Sequence, residues 1–113
     1  MKVDGDLTLD VKGEVTIKSG KNITIKASQN LNSEAGQALT NKSGTDLTNK
    51  AGTGLTNKAG TNLTNDAGAN LTNKAGVNLD NKAGAMMTNK ASAMETVDGG
   101  GMLTVKGGLV KIG

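Results

Sequence analysis

The side chains able to do acid–base or ligand chemistry in this 113-residue chain are thirteen lysines and ten carboxylates. There is no His, no Cys and, reading along the sequence, no Arg. A Ser-His-Asp site, an imidazole-held zinc and a near-neutral proton shuttle are thereby excluded. So are a disulfide framework and a thiolate metal site, and the redox compartment is not written in the sequence. Gly99-Gly100-Gly101 and Gly107-Gly108 invite comparison with phosphate loops. They lack the Walker spacing and a following helix, and tight corners account for them better. The Asn-x-Ser/Thr triplets at Asn22, Asn41, Asn62 and Asn70 fall out of a repeat and carry no message about glycosylation. No catalytic residue, no cofactor and no firm metal ligand emerges, and the chain is not expected to be an enzyme.

What positions these residues is a strict period of eight. With the first octad set at Val3, the fifth position runs Leu7, Val15, Ile23, Leu31, Leu39, Leu47, Leu55, Leu63, Leu71, Leu79, Met87, Glu95, Leu103 and Lys111. All but Glu95 and Lys111 are apolar, and no insertion or deletion disturbs the phase. Thr dominates the sixth position, Gly the second, Ala the first and Lys the eighth. Low hydrophobicity alone would suggest disorder, but a repeat this regular is not a linker. A helix would smear a period of eight around its circumference, and recurrent Gly would cost it about 1 kcal/mol each time. An extended chain fits better. In Leu7-Thr8-Leu9-Asp10, Val15-Thr16-Ile17-Lys18 and Ile23-Thr24-Ile25-Lys26, apolar and polar residues alternate as a half-buried strand requires. Each octad then reads as a short strand plus a corner, with Gly at the corner.

Three such octads close a narrow triangle. Its interior holds one small apolar layer per level, which suits a chain with no Phe, Tyr or Trp; aromatic rings bury about 150–250 Å² each and supply most of an ordinary core. One chain could coil on itself, or three could wind about a common axis, and the second leaves no open side edge. The expected fold is therefore all-β: an intertwined homotrimeric triple-stranded β-helix, or triangular β-prism, of octapeptide repeats. A single segment over 1–113 is expected, with VxGxLxLx-type octads over 3–34, AGxxLTNK-type octads over 35–90 and a Met/Gly-rich apex over 91–113.

Several columns carry candidate chemistry. Position seven turns from Leu9, Ile17 and Ile25 to Asn41, Asn49, Asn57, Asn65, Asn73, Asn81 and Asn89. These amides form either an inward hydrogen-bonded ladder or turn residues beside a corner. The Lys column, with Lys42, Lys50, Lys58, Lys74, Lys82 and Lys90, reads as a solvated face that blunts pairing with strangers; an anionic membrane surface is the other reading. The Thr column suits exposed strands and also resembles ice-binding arrays. Calcium-binding nonapeptides require a period of nine, which fails. Met86, Met87, Met94 and Met102 offer adaptable filling near the tip, or a hydrophobic partner site. Glu95 is the anomaly. In a trimer three carboxylates would converge, needing a cation, shared protons or water, so it is the one place for an axial ion. The alternative is a local bulge that turns Met94 inward.

Octads such as Val-Asp-Gly-Asp-Leu-Thr-Leu-Asp and Ala-Gly-Thr-Asn-Leu-Thr-Asn-Asp lead to the ending Gly-Gly-Gly-Met-Leu-Thr-Val-Lys-Gly-Gly-Leu-Val-Lys-Ile-Gly. The chain resembles, over essentially its whole length, the C-terminal β-helix of VgrG-type tail spikes of type VI secretion systems, related contractile injection particles and contractile phage tails. The resemblance implies a homotrimeric membrane-piercing needle whose C-terminal apex binds a PAAR-repeat tip protein. The matching apex residues are Gly107, Gly108, Leu109, Val110, Lys111, Ile112 and Gly113. It also implies an N-terminal hub and an oligosaccharide-binding-type domain, neither of which lies in these residues, so the stretch corresponds to the needle.

The expected function is mechanical: a structural spike that transmits axial force and meets the target-cell membrane transiently. No apolar h-region follows Met1-Lys2, so no signal peptide is expected. Assembly in the bacterial cytoplasm within an injection particle, then secretion toward the target cell, follows from the resemblance. Net charge +3 without Arg or aromatics is a poor nucleic-acid footprint, so no nucleic-acid partner is expected. Rival readings are a trimeric fibre or adhesin stalk and a monomeric ice-binding β-solenoid.

Overall fold

A computed structural model describes residues 1–113, and they form two units, Met1–Thr56 and Asn57–Gly113. The division cuts an octad between Thr56 and Asn57, where the repeat continues unchanged. In Met1–Thr56 the backbone is extended and bends at 4–5, 12–13, 20–21, 28–29, 36–37, 44–45 and 52–53. In Asn57–Gly113 it bends at 60–61, 68–69, 76–77, 84–85 and 92–93, turns at 100–101 and bends again at 108–109. These are positions two and three of every octad. The corner assigned to each repeat therefore exists, at the expected place and with the expected period.

The strand does not. Neither unit contains a β-strand, a sheet or a helix. Within each unit no residue meets another twelve or more positions away. The all-β fold, the triple-stranded β-helix and the triangular β-prism are thus overturned, as are the paired strands and continuous core they implied. The physical reason lies in what a period measures. Alternation tells which side chains share a face, but a strand also requires a second backbone at about 4.8 Å to receive its N–H and C=O groups. No bend in either unit brings one. Each deflects the chain and lets it run on for six extended residues to the next bend.

With no returning segment there is nothing to bury against. No residue is buried in either unit, and the apolar column is exposed from Leu7 to Leu103. Its exposures repeat as the sequence does: Leu47 60 %, Leu55 61 %, Leu63 60 %. The accessible surface of 12909 Å² compares with about 5,700 Å² for a folded monomer of this mass.

Glycine's part in the corners also needs correction. At Gly20, Gly36, Gly44, Gly52, Gly60, Gly68, Gly76 and Gly84 an added Cβ would meet nothing, and none has a positive φ. Bends form equally at 28–29 and 92–93, where neither residue is glycine; at 4–5 and 12–13 the glycine stands third in the octad, as Gly5 and Gly13. Within the chain, then, the bend does not need its glycine.

Candidate functional site

Two stretches of Asn57–Gly113 depart from the plain repeat, and both hold residues singled out in the sequence. The first runs from Glu95 to Met102. Glu95 occupies the apolar column between Met87 and Leu103 and is exposed. No group of three or more acidic, His or Cys side chains gathers to hold a metal ion. The convergence of carboxylates imagined at Glu95 is not something one chain makes.

Just beyond it lies the one closed turn. Met102 N–H donates to the carbonyl of Gly99 at 3.3 Å. Gly100 N–H donates to Oδ1 of Asp98 at 2.9 Å. The loop is built from residues that suit it: Asp caps a backbone N–H two residues on, and Gly100 adopts φ +66°, which glycine reaches without steric cost. Gly99 is confined by space, since a Cβ there would overlap the Met102 carbonyl oxygen. The three glycines thus make a tight corner. The part of Asp98 was not foreseen; a carboxylate two residues before a glycine is the signal that would have found it. Weaker relatives occur where the first position is Ser. Ser19 and Ser43 Oγ accept from the N–H of Lys21 and Thr45 at 3.3 and 3.4 Å.

The second stretch is Gly107–Gly113. The chain bends at Gly108–Leu109. Gly107 sits close under the segment that follows: a Cβ on it would be 3.2 Å from the Leu109 carbonyl oxygen and 3.4 Å from Val110 Cγ2. This small fold-over leaves Leu109 87 % and Ile112 93 % exposed, with Val110 about half exposed. Lys111 and Gly108 are exposed as well, and Gly113 ends the chain at φ +111°. The residues assigned to the apex are therefore neighbours along the backbone, with their apolar side chains free.

Elsewhere the columns stay apart. The Asn and Lys side chains are exposed throughout. Successive members are eight residues apart with a bend between them, and no hydrogen bond or salt bridge joins one to the next. Neighbouring lysines along the column therefore act as separate charges, and the asparagines form no ladder within the chain. Neither unit has a pocket, and no helix is long and apolar enough to cross a membrane.

No family model matches this chain, and neither a curated protein nor a solved structure does.

Proposed function

We propose that this chain is a non-enzymatic structural subunit that associates with two further copies of itself to form the spike of a contractile injection or type VI secretion apparatus. The observation that carries the reading is the exposed apolar column, held in phase across both units with nothing in the chain to cover it. The surface in excess of a folded monomer's is about 7,000 Å², more than the roughly 2,000–5,000 Å² typical of obligate interfaces. A column repeated at one spacing is complementary first of all to another copy of itself. The second-position glycines support this. Each costs conformational entropy, yet most have neither a positive φ nor a crowding neighbour within the chain. A close approach from outside gives them a reason to be glycine.

The number three, the membrane-piercing role and the PAAR-repeat tip protein rest on the resemblance in the octads and in Gly107–Gly113. Exposed Leu109, Val110 and Ile112 supply an apolar surface for such a cap. Assembly in the bacterial cytoplasm followed by export with the particle completes the reading. Native mass spectrometry tests the association: a trimer is expected, and a monomer at micromolar concentration would overturn it. Co-purification tests the apex. Deletion of residues 108–113 is expected to abolish recovery of a PAAR-repeat protein while the trimer mass persists. Loss of target-cell puncture on deleting residues 3–106 would distinguish a spike from a fibre or adhesin stalk, which would leave puncture intact.

A further inference from the structure

The regularity that makes self-association plausible also makes it ambiguous. Over 35–90 each octad nearly repeats its neighbour, with Leu in the fifth position (Met87 in the last octad) and Asn in the seventh. Copies displaced by eight residues would still set apolar column against apolar column and bend against bend. At the N-terminal side position seven passes from Ile25 through Ser33 to Asn41, so a slip mismatches only that short transition and leaves the octads of 35–90 matched. Something else must specify alignment.

We infer that the stretch Glu95–Met102 is the register lock of the assembly, the partner being a second copy of this chain; the inference rests on the self-association proposed above. Two independent features put it there. Of the fourteen corners, only that at 100–101 is a closed turn, with its own backbone hydrogen bond, its Asp98 cap and a positive φ at Gly100. Its shape differs from the open bend one octad away on either side, where Ser92 and Gly108 stand in the second position. Aligned copies set closed turn beside closed turn; slipped copies set it beside an open bend. Glu95, three residues before Asp98, interrupts the apolar column in the same octad. In register the carboxylates share one level and one body of water. After a slip each lies alone among Met87 or Leu103 side chains of its neighbours, and a charge buried without a partner is strongly disfavoured. A single polar residue in an apolar seam is an established means of fixing register in associating chains. The lock thus works by penalising the wrong alignments.

The test uses the absence of native cysteine, which lets a nitroxide be placed at one site, Lys50→Cys, and distances between copies be read by pulsed electron spin resonance. The parent is expected to give a single distance population. A chain regularised by Glu95→Leu, Asp98→Lys and Gly99→Ala is expected to keep the oligomer mass and give several. One unchanged population in the regularised oligomer would overturn the lock and leave the self-association standing. A regularised chain that becomes monomeric would also overturn it, since the stretch would then drive assembly rather than align it. A monomeric parent would overturn the self-association and the lock together.

Discussion

At the scale of single residues, the adjacent glycines Gly99 and Gly100 behave oppositely to those of the plain repeat. Gly100 holds φ +66°, a backbone state that costs a residue with a Cβ about 1–2 kcal/mol. Gly99 leaves no room for a Cβ beside the Met102 carbonyl. Gly100→Ala and Gly99→Ala are each expected to open the turn, seen as several-fold faster hydrogen exchange at the Met102 amide. Gly54→Ala, where nothing lies within 4 Å, is expected to change no amide. The apolar column makes a second comparison. Leu55→Asp places a carboxylate where copies meet, at several kcal/mol per chain. Thr56→Asp, one residue on and on the other face, is expected to be mild. Equal dissociation of the two variants by native mass spectrometry would refute the division of faces. Alternation at Leu7-Thr8-Leu9 and its successors is the sole basis for that division, since every residue of the lone chain is exposed. The turn at Asp98 was half readable, since three glycines announce a corner but the capping carboxylate is seen only in its hydrogen bond.

At the scale of the element, the unit is the octad and its bend. The place of the bend was legible because Gly and small residues cluster at positions one and two. Its cause was not, because Ser28-Gln29 and Ser92-Ala93 bend the chain with no glycine at all. The absence of strands was illegible for a related reason: Val15-Thr16-Ile17-Lys18 states a face preference, and no residue in it states where a second backbone will be. If phase rather than identity matters, removing residues 51–58 keeps every column aligned, whereas removing 51–54 moves Leu55 and all that follows off it. The first deletion is expected to leave association intact and the second to weaken it at least tenfold by sedimentation. The second-position glycines give the complementary prediction. Gly44→Ala, Gly52→Ala and Gly60→Ala together should leave the bends of the lone chain unchanged in NMR shifts and lower association, while Gly54→Ala in the fourth position should not.

At the scale of the whole molecule, what the sequence could not reveal is where stability resides. A composition without aromatics pointed away from an ordinary core, and neither unit buries a side chain. Any cooperative transition must then belong to the associated form, because a species that exists only through association melts at a temperature set by its concentration. The melting temperature is expected to rise with each tenfold increase in chain concentration, and a concentration-independent transition would contradict the reading.

The exposed, periodic backbone has one more consequence, for the lifetime of a copy that has not met its partners. Proteases cut extended, accessible chain, and every residue here is of that kind. Lysine recurs in the eighth position, with Lys42, Lys50 and Lys58 in succession, so the spacing that aligns the columns also rules the chain with tryptic sites. Brief digestion of newly made, dilute chain should release octapeptides such as Ser43–Lys50 and Ala51–Lys58. The same chain, once associated, should resist. On the self-association proposed above, proteolysis would thus fall on the copy left alone and spare those that have found one another.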